Sequence, residues 1–143
     1  MDINYNDDKC LVEVASALAI AYAKRKRFEN AYAVFNTVRW DIPSNDAYEL
    51  GKLFQDGGEL RLASDVFDSL TNREVKDIYV GLAAFALGLS NERLADEITD
   101  KKIYWSIYHD DLVVAESYYE TALECGIPEA KEKIETIKAK LKR

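Results

Sequence analysis

The sequence predicts an all-α protein: about three stacked helical hairpins followed by a C-terminal capping helix. Three observations carry this. Leu18, Ala19, Tyr22, Phe28, Ala31, Phe35 and Val38 return 32 positions later as Leu50, Gly51, Phe54, Leu60, Ala63, Phe67 and Leu70. Repeats of about that length are the signature of paired helices that bury their apolar faces only by stacking. Between the breaks, apolar residues fall three and four apart, the helical period. The breaks themselves, Asp41-Ile42-Pro43-Ser44, Asp56-Gly57-Gly58 and Gly126-Ile127-Pro128, are built from residues that end helices.

Each element follows in chain order. Residues 1–8 are a polar arm without periodicity, and Asp7 or Asp8 is placed to cap the first helix. That helix is expected to reach Lys26, with Leu11, Val14, Ala15, Leu18 and Tyr22 as its apolar stripe. Its partner covers Phe28 to Val38, completing a first unit over 9–43. Pro43 disfavours helix at the preceding residue, and Ser44 or Asn45 then caps a helix to Gln55. Glu59 to Leu70 closes the second unit, 44–72.

The third unit, 73–127, opens with a helix over Arg73 to Leu89, where Leu82, Ala83 and Ala86 follow Leu50, Gly51 and Phe54 by 32. Its closing pattern arrives late. Leu112, Ala115, Tyr119 and Ala122 lie 52 residues after Leu60, Ala63, Phe67 and Leu70, which implies an insertion over about 88–111. Short helical pieces are expected inside it, at Asn91–Ile98 and around Lys101–Tyr108. The last segment, 128–143, has a narrow stripe of Ala130, Ile134, Ile137 and Leu141, with proline at its start and lysines at its end. That arrangement suits the helix dipole and a terminal cap with one wet face.

This pattern, small residue then aromatic on the first helix and Ala then aromatic on the second, resembles tetratricopeptide (TPR) repeats. Gly51 and Pro43 fall at that family's glycine and closing proline. Ala115, Tyr118, Tyr119, Ala122, Gly126 and Ala130 resemble the SEL-type variant, which tolerates longer loops. The length argues for one domain over 1–143, and the resemblance implies a right-handed solenoid that binds a peptide or domain edge in a groove lined by first helices. It places groove positions at Ser16, Ile20, Ala23 and Lys24, and at Tyr48, Lys52, Gln55 and Asp56. The paired lysine–asparagine clamp that some relatives use for carboxylate tails is not visible as a set.

Bulk properties narrow the function classes. A chain of 143 residues, 48% hydrophobic and 31% charged, is long enough to bury a core without staples. No apolar run approaches a membrane span, and the acidic N-terminus reverses a signal peptide's order, so a cytoplasmic protein is expected. In that setting free thiols at Cys10 and Cys125 fit better than a disulfide. The net charge is −7, and residues 44–125 hold 17 acids against seven bases. Such a field disfavours nucleic acid and anionic membrane and attracts basic surfaces. The basic run Lys24-Arg25-Lys26-Arg27 reads as compensation of a helix C-terminus, and could pair two copies into a weak dimer; a monomer is the other expectation.

No catalytic, metal or cofactor motif emerges. His109 is the sole histidine, neither cysteine has a C-x-x-C neighbour, and no phosphate-binding or calcium loop is present. A non-catalytic protein without cofactors is expected; an enzyme would have to use His109 with Cys125. Tyr104, Trp105 and Tyr108 lie in the insertion, outside the repeat, and aromatic residues there suit a partner anchor. The alternative is that they fold back over the third hairpin. Trp40, beside the Pro43 turn, reads as structural.

Two binding readings follow. In the first, an acidic face that includes Asp65, Asp68, Asp110 and Asp111, together with the aromatic insertion, covers and inhibits a basic protein. That character is similar to immunity proteins of toxin–immunity pairs. In the second, an adaptor or chaperone holds a client peptide in the groove through positions such as Tyr48, Lys52, Gln55 and Asp56.

Overall fold

A computed structural model describes residues 5–142, with side chains from Lys9 onward. These residues form α1 (Tyr5–Lys24), α2 (Phe28–Val38), α3 (Ser44–Asp56), α4 (Leu60–Thr71), α5 (Ile78–Asp96), α6 (Trp105–Glu124) and α7 (Ala130–Leu141). No strand occurs among them, so the all-α expectation holds. The chain divides into two compact units, one ending at Arg73 and the other beginning at Glu74.

In the first unit, α1 packs against α2 and α3, and α3 packs against α4. Most repeat positions lie in the core: Ala19, Ala31, Phe35, Val38, Leu50, Gly51, Phe54, Ala63, Phe67 and Leu70 are buried, with Ala47 and Val66 beside them, whereas the matched pair Leu18 and Leu60 is exposed. Each buried phenylalanine contributes on the order of 1.5–3 kcal/mol by leaving water. Gly51 is required by contact, because a Cβ there would lie 2.4 Å from Cε1 of Phe67.

The 32-residue period reaches into the turns. At the end of α1, the Arg27 N–H bonds to the Tyr22 carbonyl and the Lys26 N–H to that of Ala23, the two bonds of a Schellman end. At the end of α3 the Glu59 and Gly58 N–H groups bond Phe54 and Gln55 in the same way. Ile127 and Gly126 repeat it after α6, on Ala122 and Leu123. The left-handed residue is Gly58 (φ 81°) or Gly126 (φ 96°) in two of these, but Lys26 (φ 62°) in the first.

Three expectations for this unit are corrected. Residues 1–4 of the polar arm lie outside the described residues, and Asp7 and Asp8 fall at the third and fourth positions of α1 rather than before its start. Pro43 occupies the N-cap of α3, and neither Ser44 nor Asn45 caps it. On α1 the buried line is Ser16, Ala19 and Ala23, while Leu11, Val14 and Leu18 are exposed. Small side chains won that face because they let α2 and α3 approach; Ser16 also donates a hydrogen bond to Asp46 Oδ2 at 2.7 Å.

In the second unit, α6 packs against both α5 and α7. Asp77 caps α5 by accepting the Val80 N–H at 3.0 Å, which starts the helix later than Arg73. The expected insertion is not a separate loop with short pieces. Asp96 lies seven residues past Leu89 and Trp105 seven before Leu112, so about two turns extend each helix. Burial at helical spacing runs straight through, at Leu87, Glu92 and Ala95 on α5 and at Tyr108, Leu112 and Ala115 on α6. Only 97–104 connect the two helices. A Cβ on Gly88 would meet Cε1 of Tyr119 at 2.6 Å, the same glycine-on-aromatic seat as Gly51 on Phe67. The Tyr119 hydroxyl donates to Glu92 Oε1 at 2.7 Å, and Lys133 and Lys140 approach the same carboxylate at 3.7 and 3.4 Å. Burial, followed by that neighbouring carboxylate, raises the Tyr119 pKa. The final helix matches expectation closely, with Ala130, Ile134 and Ile137 buried.

Candidate partner-binding surfaces

α1 and α3 of the first unit define a groove of about 420 Å³. Ala17, Ile20 and Ala21 give it an apolar strip, and Glu13, Asp46 and Glu49 add carboxylates around Ser16 and Lys24. Lys24 Nζ stands 3.7 Å from Glu49 Oε1, an exposed pair. Ser16, Ile20 and Lys24 therefore meet as the repeat implied, whereas Ala23 is buried beneath. On α3 the lining residues are Asp46 and Glu49; the expected set of Tyr48, Lys52, Gln55 and Asp56 does not line it. Tyr48 packs on Phe67 with ring centroids 5.8 Å apart, and burial raises its pKa. Lys52 donates to Gln55 at 3.4 Å.

The acidic residues singled out from sequence separate into different roles. Asp65 is engaged inside the first unit. It accepts the Tyr32 hydroxyl and, at 2.7 Å, the Arg39 guanidinium. Arg39 also lies over the Phe35 ring, 4.9 Å from its centroid, and accepts the Arg73 guanidinium on its backbone carbonyl at 3.1 Å. The Arg39 hydrogen bond holds the Asp65 carboxyl below the usual carboxylate range against the opposing effect of burial. Asp68, one turn on, remains exposed on α4. Trp40 is 64% exposed and so is not the structural ring expected; its neighbour Ile42 takes the core place instead.

Asp110 and Asp111 belong to α6 of the second unit, where Asp110 is exposed and Asp111 half-buried. Asp110 stands 3.8 Å from His109 Nδ1. The aromatic trio divides. Tyr108 is in the core, as folding back requires, while Tyr104 is 51% and Trp105 36% exposed. Trp105 packs on Tyr108 and His109 with centroids 5.6 and 5.8 Å apart. Beside them opens a cleft of roughly 560 Å³ lined by Lys101, Lys102, Trp105, Tyr108 and Lys140. Its lysines were invisible to sequence reasoning, because Lys101 and Lys140 meet only through the packing of α7 on α6.

His109 and Cys125 do not form a dyad within one chain. Sixteen residues separate them, with His109 in the second turn of α6 and Cys125 just past its end, a span of roughly 24 Å at the helical rise. Cys10 is an exposed free thiol, and Cys125 a half-buried one whose pKa burial raises. Among the described residues no group of three or more His, Cys, Asp or Glu is placed to hold a metal ion. None of the described helices is long and apolar enough to cross a membrane. Compared with family models, curated proteins and solved structures, the chain has no significant match.

Proposed function

We propose that the protein is a non-catalytic interaction module of TPR-like helical pairs whose α1/α3 groove receives a basic, partly apolar segment of a protein partner. The observation that carries this reading is the groove's make-up: Glu13, Asp46 and Glu49 surround Ala17, Ile20 and Ala21. An apolar strip supplies burial, and flanking carboxylates select lysine or arginine and set the register of the bound segment. The groove joins the two binding readings, since it suits a basic client as well as an inhibited basic partner. Covering such a segment on a basic toxin would give the inhibitory outcome expected of an immunity protein.

The test is fluorescence anisotropy with a labelled peptide alternating lysine and leucine. Replacing the three acids together (Glu13→Gln, Asp46→Asn, Glu49→Gln) should weaken binding roughly 3- to 150-fold, since rim charges contribute roughly 0.2–1 kcal/mol each. Asp46→Asn retains an oxygen for Ser16, so the α1/α3 contact survives. Affinity unchanged in the triple variant, with helicity intact, would overturn the proposal.

A further inference from the structure

The second unit carries a recognition site of opposite sign, and it owes nothing to the groove in the first. We infer that the cleft beside the start of α6 binds a small anion that also carries a flat ring, a ligand of mononucleotide size.

The volume, roughly 560 Å³, falls within the range of small-molecule sites. Three of its five described lining residues are lysines, in a chain whose net charge is −7. Their surroundings distinguish them. Lys140 is already balanced, at 3.4 Å from Glu92 and 3.5 Å from Asp96. Lys101 donates to the Ile98 carbonyl at 3.1 Å, a neutral partner, and its Nζ lies 5.4 Å from the Tyr108 ring centroid. Lys102 is exposed. The nearest acid in the connection, Asp100, accepts the backbone N–H groups of Lys102 and Ile103. Lys101 and Lys102 thus supply positive charge at the mouth that Asp100 only partly offsets, and the first turn of α6 adds the positive end of its dipole.

The aromatic wall supplies the second half of the recognition. Tyr108 is a buried floor, whereas Trp105 remains 36% exposed beside it. An exposed indole offers a face to a planar ring, and such stacking contributes about 1–3 kcal/mol without demanding one particular base or arene. Charge at the mouth and a ring on the wall together select the ring-plus-anion chemistry that nucleotides share with aromatic carboxylates.

Trp40 and Trp105 are the two tryptophans, so a Trp40→Phe background makes Trp105 the sole indole reporter. Adenosine monophosphate, phenylacetate, adenosine and inorganic phosphate would be titrated separately against its fluorescence. The expected result is saturable quenching by adenosine monophosphate or phenylacetate at low-millimolar concentration or below. Whichever of the two binds more tightly distinguishes phosphate from carboxylate as the anion. Adenosine should bind more weakly than its monophosphate, and inorganic phosphate should compete with the ring-bearing anion while quenching little.

The double variant Lys101→Gln, Lys102→Gln, at exposed positions, should raise the dissociation constant roughly tenfold for the anions only, given modest energies per exposed charge pair. Calorimetry on Trp105→Leu should show the same order of loss. No saturable signal from either ring-bearing anion, or binding indifferent to the lysine substitutions in a folded variant, would overturn the inference. The first unit's groove is untouched by these variants, so failure here and failure of the peptide reading are separable.

Discussion

The first unit and the second use one packing device and surround it with different chemistry. In both, a glycine on one helix seats the aromatic ring of the next, Gly51 under Phe67 and Gly88 under Tyr119. Around Phe67 the core is apolar, and the unit's charges sit at its edges, in the Arg39–Asp65 contact and the α1/α3 groove. Around Tyr119 the ring's hydroxyl reaches a buried carboxylate, Glu92, balanced by two lysines of α7. The difference shows how a helical pair can be lengthened. Two more turns on each helix carry a polar position into the interior, and a third helix supplies the countercharge.

Substitutions test this contrast directly. The largest expected effect is Phe67→Ala, which removes a fully enclosed ring and should cost about 3–5 kcal/mol, read as a shift in the denaturation midpoint of the first unit. Glu92→Ala comes next. It strands the Tyr119 hydroxyl and leaves Lys133 and Lys140 without their shared partner, so about 2–3 kcal/mol should be lost from the second unit. Glu92→Gln should recover part of that by accepting the hydroxyl. If Glu92→Ala were neutral, the contrast between a dry and a charge-tied core would fail.

The Arg39–Asp65 contact predicts a smaller, pH-dependent effect. Because the folded-state pKa of Asp65 is lowered, its contribution is present above the ordinary carboxylate value and disappears as pH falls through the lowered one. Acid below about pH 4 should therefore remove up to about 1 kcal/mol from the first unit, a figure discounted because Asp65 is 39% exposed. An Arg39→Met variant should lose that part of the pH dependence in acid titrations followed by circular dichroism. The smallest effect has the opposite sign. Lys26→Gly relieves a left-handed residue at the position that Gly58 occupies one repeat later, and should stabilise the first unit by up to about 1 kcal/mol.

Much of this was legible in the sequence. The alanine–aromatic pairs at Ala31 and Phe35, Ala63 and Phe67, and Ala115 and Tyr119 are all buried, because one spacing imposes one environment. Over 88–111 the 32-residue period fails because this pair has longer helices, a difference that Asp77 as a cap and Tyr108 four residues before Leu112 both signal. On α1, ranking residues by hydrophobicity favoured Leu11, Val14 and Leu18, whereas close helix approach favoured Ser16, Ala19 and Ala23. Half of the groove was foreseeable from Ser16, Ile20 and Lys24. On α3 the carboxylates nearest the start of the helix, Asp46 and Glu49, line the groove in place of Tyr48, Lys52, Gln55 and Asp56. Lys101, Lys102 and Lys140 come together only in three dimensions.

The first unit's groove is proposed as the seat for a basic segment. Its most direct test is amide chemical-shift mapping of the full chain titrated with the lysine–leucine peptide. Perturbations should concentrate at residues 13–24 and 46–49 and vanish in the triple Glu13, Asp46 and Glu49 variant. Perturbations centred on 101–108 and 140 instead, with the groove silent, would contradict it.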